Sequence, residues 1–346
     1  MCIRDSPYYE SRVIQFFKNI DGKNFIDVTE EKNPNYSVYT DGNPYSSMWI
    51  GQGKLHLIDY DHDGDLDLMS HNSGPIDNEN STLRAETDIL YKNQLSETGT
   101  AIFEDYTLES GGVYGTIYIP ENDEIGIGDV LSYTSAAAAN PSAQMSVKFP
   151  TLSDQKNLEK NGTGVSWAGL FIDLGDDGWE DIFIGTDFGI SPIYKNMGDG
   201  TFMSYTEESN LMIHGTAMGL DAGDVDGDGD PDLYVTADFA NPDRLWLNDG
   251  RGYFRQAHPL AMRRTSQFSM GLDFTDVNRD GHLDFLTADM LSRSHKRRKT
   301  QMGDMQITES GIGLIQNRPQ IMQNTLQLGR GDGTWSEVAQ LSGLKA

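Results

Sequence analysis

Apolar positions along this chain come in short runs set between Gly, Asn and Asp. LDLMS, DIFIGTD, DLYVTAD and DFLTAD each follow an acidic stretch. Their β-branched and aromatic residues, bounded by turn formers, predict strands. A second kind of run ends at an Asn or Gly, passes a Gly-rich turn and closes on an aromatic. Its versions are IYKNMGDGTF from Ile193, LWLNDGRGYF from Leu245 and LQLGRGDGTW from Leu326. ILYKN from Ile89 leads less regularly to Phe103, and FFKNIDGKNF from Phe16 stands alone before the first acidic stretch. The predicted unit is strand, acidic loop, strand, connection, strand, Gly turn, strand. MGLDAGD and MGLDFTD place Asp221 and Asp273 in one context, and the last two intervals between acidic stretches are 51 and 52 residues. A fixed period of this size points to propeller blades or a solenoid. Four strands per period suit a blade, so the predicted fold is all-β, an incomplete β-propeller over residues 7–346.

The first interval is 114 residues, too long for one blade. Residues from about 111 to 164 fill the excess, either as an insertion or as a degenerate blade without metal. The insertion is preferred because the Asn-turn run occurs once in that interval. A second insertion is expected at about 291–320. The orphan FFKN run implies a blade whose start lies outside the chain, and LSGLKA ends where another module would begin. MCIRDS fits no strand and no export signal, so residues 1–6 are read as a non-native leader.

The acidic stretches begin at Asp59 (DYDHDGDLD), Asp173 (DLGDDGWED), Asp224 (DVDGDGDPD) and Asp276 (DVNRDGHLD). Carboxylates at alternate positions of a tight loop converge, and a central Gly permits the sharp turn. Loop three sets Asp224, Asp226 and Asp228 at positions one, three and five. Asp230 offers its carbonyl at position seven and Asp232 closes the cage at nine. Loop one matches with Asp59, Asp61, Asp63, Asp65 and Asp67, and loop four with Asp276, Asn278, Asp280, His282 and Asp284. Loop two keeps Asp173, Asp177, Trp179 and Asp181 but has Gly175 at position three, with Asp176 displaced by one. It is the weakest expected site, completed by water or Asp176. Oxygen-only cages of this size suit Ca²⁺ better than Mg²⁺, so up to four calcium ions are expected. An EF-hand needs Glu at position twelve, where Ser70, Ile184, Val235 and Thr287 stand.

These loops and strands resemble the FG-GAP/VCBS repeats of integrin-α-like propellers. MGLDAGDVDGDGDPDLYVTADF, MGLDFTDVNRDGHLDFLTADM and RLWLNDGRGYF carry the likeness, which is closest to the branch with ASPIC/UnbV domains and cartilage-acidic-protein relatives. It implies a calcium-stabilised propeller, usually exported, with the metal loops on hairpins at one rim.

Formal charge is -27, and the loops hold about eighteen of the 53 acidic residues. Such acidity repels phosphates and argues against nucleic acid. The single cysteine, Cys2, provides no disulfide, which leaves calcium as the staple. Weak calcium sites fill at the millimolar concentrations outside the cytoplasm, so an extracellular, cell-surface or periplasmic setting is expected. No apolar run reaches transmembrane length.

The basic run from Arg293 to Lys299 is read as a solvated loop. His56 lies on the strand entering loop one, His62 is a spacer, and His214, Trp167 and Ser269 are candidates for a channel face. No nucleophile elbow, Walker loop or dinucleotide fingerprint occurs, and no catalytic residue is assigned. The leading function is binding of an extracellular protein or glycan through rim loops and insertions. The alternatives are a calcium-dependent polysaccharide lyase or hydrolase, and a structural segment of a larger surface protein.

Overall fold

The computed structural model describes residues 2–4, 15–32, 54–71, 76–77, 82–83, 88–113, 165–211, 213–238, 242–290, 294, 296–297 and 319–344. Nearly all of the insertion expected at 111–164, and most of that at 291–320, lie outside these. By backbone contacts the chain forms two compact units. One comprises Met1–Ile127, Val147–Gly169 and Tyr194–Ser204; the other comprises Gly128–Ser146, Leu170–Ile193 and Tyr205–Ala346.

The fold is all-β and of the propeller type. Strands β1 (Cys2–Arg4), β2 (Gln15–Asn19) and β3 (Phe25–Asp27) form one antiparallel sheet, followed by the short helix α1 (Thr29–Lys32). Module one contains β4 (Leu55–Ile58), β5 (Asp67–Ser70), the small hairpin β6 (Ile76–Asp77) and β7 (Thr82–Leu83), β8 (Ile89–Asn93), helix α2 (Leu95–Thr98) and β9 (Phe103–Asp105). Its sheet order is β4-β5-β8-β9. Module two supplies β10 (Val165–Ile172), β11 (Asp181–Ser191), β12 (Ile193–Asn196) and β13 (Phe202–Ser204), which are neighbours in that order. Module three supplies β14 (Ile213–Gly223), β15 (Asp232–Ala237), β16 (Arg244–Asn248) and β17 (Phe254–Gln256), again in sequence order. In module four, β18 (Thr265–Ser266) pairs with β21 (Gln320–Ile321), while β19 (Ser269–Thr275), β20 (Asp284–Asp289), β22 (Thr325–Gly329) and β23 (Trp335–Glu337) make the four-stranded sheet.

The strand after each acidic loop sits between two neighbours and packs on both faces. That is why β5 and β15 are buried at every residue and read as continuous apolar or small runs rather than alternating ones. The third strand of a module is tied to the segment after the fourth by one repeated bond. The amides of Phe16, Leu90 and Ile193 donate to the hydroxyls of Thr29, Thr107 and Thr206, each at 3.0 Å. The orphan hairpin β2–β3 is therefore built as the last two strands of a module, and Phe16 stacks on Phe103 at 4.9 Å.

Successive modules also clasp in a repeated way. The Asn196 side chain donates to the Tyr60 carbonyl at 2.9 Å, and Asn248 donates to the Leu174 carbonyl at 3.0 Å. The Phe202 amide reaches Ser110 O at 2.7 Å, and the Phe254 amide reaches Ser209 O at 2.8 Å. Position two of loops one, two and three, at Tyr60, Leu174 and Val225, shares an apolar contact or cluster with the fourth-strand aromatic of the next module, at Phe202, Phe254 and Trp335.

Cys2–Arg4 form a strand antiparallel to β2, although the sequence there shows no strand pattern. An edge strand presents a free row of backbone donors and acceptors, and these can pair with a segment of any side-chain pattern.

Candidate metal centre

All four loops fold alike because the same three backbone hydrogen bonds recur. The position-six Gly amide donates to the position-one Asp: Gly64 to Asp59 at 3.2 Å, Gly178 to Asp173 at 2.7 Å, Gly229 to Asp224 at 3.1 Å and Gly281 to Asp276 at 2.9 Å. The position-seven amide donates to the position-five Asp: Asp65 to Asp63, Trp179 to Asp177, Asp230 to Asp228 and His282 to Asp280, at 3.0–3.1 Å. The position-two amide donates to the position-nine Asp: Tyr60 to Asp67, Leu174 to Asp181, Val225 to Asp232 and Val277 to Asp284, at 3.0–3.3 Å. The first carboxylate thus winds the loop, the fifth residue fixes its second half, and the ninth locks its entry.

The position-nine Asp has a larger role than closing a cage. Asp67, Asp181, Asp232 and Asp284 are all buried. In three of them the second oxygen is also taken, by the amides of Asn93 (2.8 Å), Asn248 (2.9 Å) and Gly329 (2.8 Å) at the end of the third strand. This residue ties the loop to the sheet. Burial pushes Asp67 up to about 8, against the Asn93 amide and with Asp61 adding to the rise. Burial likewise pushes Asp232 up to about 7.

The converging oxygens differ among loops. In loop one, Asp59, Asp61 and Asp67 bring one carboxylate oxygen each within 4.8 Å of one another. In loop three, Asp224, Asp226 and Asp232 do the same. Asp63, Asp65 and Glu97 form a further group beside loop one. Among the described residues, loops two and four bring no such trio together. Asp176 stands at position four of loop two, outside the alternate ligand positions. In loop four, Asn278 donates to Asp280 at 2.8 Å.

The donor sets are all oxygen, as a hard cation requires. Two buried oxygens of loop one, Asp59 Oδ1 and Asp61 Oδ1, have no hydrogen-bond partner, and Asp65 Oδ1 in the neighbouring group is in the same state. Buried carboxylate oxygens without a donor are costly, and a bound cation removes that cost. The carboxylate trios of loops one and three could hold a hard cation, and the unpartnered oxygens of loop one add to that fit.

Position four is left-handed in every loop, with φ of 55° at His62, 51° at Asp176, 82° at Gly227 and 61° at Arg279. Only loop three places a Gly there. The sequence signal was present in that single Gly, but three non-Gly residues hid it. A non-Gly residue in this region costs roughly 1 kcal/mol. Arg279 is exposed, so Arg279→Gly is expected to stabilise the chain by about 0.5 kcal/mol after the added freedom of the unfolded chain is subtracted. Urea unfolding reads this directly. A destabilised variant would mean that the arginine side chain contributes to the loop.

Several supporting residues were not marked by sequence reasoning. Lys92 Nζ lies 2.5 Å from Asp61, 2.8 Å from Glu97 and 3.4 Å from Asp63. Ser96 gives its amide to Asp65 at 2.7 Å and its hydroxyl to Asp63 at 2.8 Å. Just after β5, His71 Nδ1 lies 3.1 Å from Asp88 Oδ2 with both side chains fully buried. The His56 ring stands edge-on to His71 at 5.1 Å. Burial, with His71 and Lys54 nearby, drives His56 down to about 3 and keeps it neutral.

The channel candidates fare differently. Ser269 is buried and donates to Asp243 at 2.9 Å, where the Tyr234 hydroxyl (3.1 Å) and the Ala237 amide (3.0 Å) also converge. Its hydroxyl belongs to this buried network. Trp167 is half-buried on β10. The His214 side chain lies outside the described residues, as does most of the basic run from Arg293 to Lys299. No helix among the described residues is long and apolar enough to cross a membrane.

Comparison with known proteins finds the FG-GAP-like repeat family at residues 173–235 and 224–287, from loop two through module three to the second strand of module four. No curated protein sequence matches. Among solved structures, one from Agrocybe aegerita aligns at 12% identity with a TM-score of 0.39. It is described as the basis of specific recognition of non-reducing terminal N-acetylglucosamine by that lectin. The alignment covers 95% of this chain and 60% of that one, so this chain spans less than two thirds of its length, and the likeness is too low to build on.

Proposed function

We propose that the chain is a calcium-binding stretch of an exported propeller repeat protein, and that it binds an extracellular protein or glycan through its loops. The observation that carries this reading is the convergence of three carboxylates in each of loops one and three, on a backbone common to all four loops. Asp59, Asp61 and Asp67 would hold one ion, and Asp224, Asp226 and Asp232 another. Asp63, Asp228 and the position-seven carbonyls of Asp65 and Asp230 complete the two sets. Loop two (Asp173, Asp177, Trp179, Asp181) and loop four (Asp276, Asn278, Asp280, His282, Asp284) are weaker sites, with loop two weakest because Gly175 offers no side-chain oxygen at position three, where Asn278 still supplies one.

Calcium supplies positive charge that holds the carboxylates together, and the hairpins thereby keep a fixed shape for a partner. The direct clasp of module two on module one supports reading 111–164 as an insertion rather than a blade. Long insertions in compact domains usually carry function, which makes 111–164 and 291–320 the candidate contact segments. The phrase MGLDAGDVDGDGDPDLYVTADF supports the ASPIC/UnbV and cartilage-acidic-protein-like branch.

A glycan and extracellular-protein array, probed in millimolar calcium and again in EGTA, tests the binding role. The expected result is a discrete set of ligands retained in calcium and lost in EGTA. Ligands held equally in EGTA, or none in calcium, would contradict it.

A further inference from the structure

Loops one and three carry the same five aspartates, yet the third strand presents a different residue to each. The residue before the Asn that ends the third strand is Lys92 in module one and Leu247 in module three. Leu247 packs against the apolar cluster of Tyr234, Leu245, Phe285 and Trp335. Lys92 instead turns its ammonium into the acidic loop, between Asp61 and Glu97, with Asp63 a little farther. Its side chain is 16% exposed, and its ammonium lies 5.9 Å from the centre of the Tyr106 ring. Among the described residues, no Lys or Arg pairs with the loop-three carboxylates.

We propose that Lys92 is the resident cation of loop one: it holds that loop together without metal and raises the calcium concentration at which the loop fills. The inference rests on the reading of the loops as cation sites. One ammonium offsets only part of the local charge. Asp59 Oδ1, Asp61 Oδ1 and Asp65 Oδ1 stay buried without a hydrogen-bond partner, and Asp65 is 6% exposed. Calcium therefore adds beside the lysine against its repulsion. Module one keeps its shape at calcium concentrations where module three loosens. The two modules thus respond to calcium in different ranges.

The test is calorimetric titration of the full chain with CaCl2 after chelation, for wild type, Lys92→Leu and Lys92→Arg, with melting of each in EGTA. Lys92→Leu is expected to tighten one calcium site by about tenfold or more, the effect of removing one close positive charge. It is also expected to melt below wild type in EGTA and to recover in calcium. Lys92→Arg should follow wild type in the titration. Should Lys92→Leu require calcium to fold, that also supports the proposal, and Lys92→Gln repeats the titration at similar side-chain length. A Lys92→Leu isotherm that overlays a calcium-binding wild type overturns the proposal alone. Absence of calcium binding in every variant overturns the cation reading of the loops and the proposal with it.

Discussion

Asp232→Ala is expected to lower the stability of the chain by about 3–5 kcal/mol in EGTA, and by more in calcium, where a ligand is lost as well. Asp232 is fully buried. One oxygen accepts from the Val225 amide at 3.0 Å and the other from the Asn248 amide at 2.9 Å. Alanine leaves two buried backbone N–H groups without acceptors, each costing about 1–3 kcal/mol, and removes the tie between loop and sheet. The useful contrast is Asp228→Ala. Asp228 is exposed, and its Oδ1 accepts from the Asp230 amide at 3.1 Å. Its loss should cost well under half as much in EGTA and show its main effect in calcium, where a ligand is gone. Urea unfolding of both variants under both conditions separates the hydrogen bonds of Asp232, lost with or without metal, from the metal contribution of each aspartate. An Asp232→Ala variant as stable as wild type in EGTA would show that its two hydrogen bonds contribute nothing.

The contrast also marks what the sequence could express. Alternating Asp with Gly at position six announces the loop, because few residues other than Gly suit φ of 87–99° there. The strands after the loops are legible too, since central strands packed on both faces must be apolar or small. Position four was not legible, because the left-handed turn is forced by the loop's own hydrogen bonds on His62, Asp176 and Arg279 regardless of their preference. Nor was the double role of position nine, because ladder amides from Asn93, Asn248 and Gly329 come from strands distant in sequence. Lys92, Ser96 and Glu97 were missed for the same reason. They lie about thirty residues beyond loop one and reach it only through the pairing of β5 with β8. The clasp of Asn196 on Tyr60 spans 136 residues, so no local pattern could reveal it.

The second large effect is on pH dependence without metal. Burial raises the folded-state values of Asp67 to about 8 and Asp232 to about 7, from an unfolded value near 3.8. The folded chain then holds protons that the unfolded chain releases. Stability from these groups is complete below the unfolded value and is lost as pH rises through about 7 to 8. In EGTA the melting temperature should therefore fall by at least about 3 °C between pH 5 and pH 8.5. Bound calcium favours the ionised carboxylates and should flatten or reverse that slope. A chain whose stability in EGTA rises across this range would show that the two aspartates are ionised in the folded state without metal.

If the acidic loops are structural calcium sites, thermal unfolding at pH 7.5 will differ between EGTA, excess Mg²⁺ and excess Ca²⁺. Each site filled at a hundredfold excess over its Kd adds about 2.7 kcal/mol. Two such sites predict a rise of about 10 °C in calcium and a much smaller one in magnesium. Equal melting temperatures in all three buffers would mean that the loops are hydrogen-bonded turns and hold no structural metal.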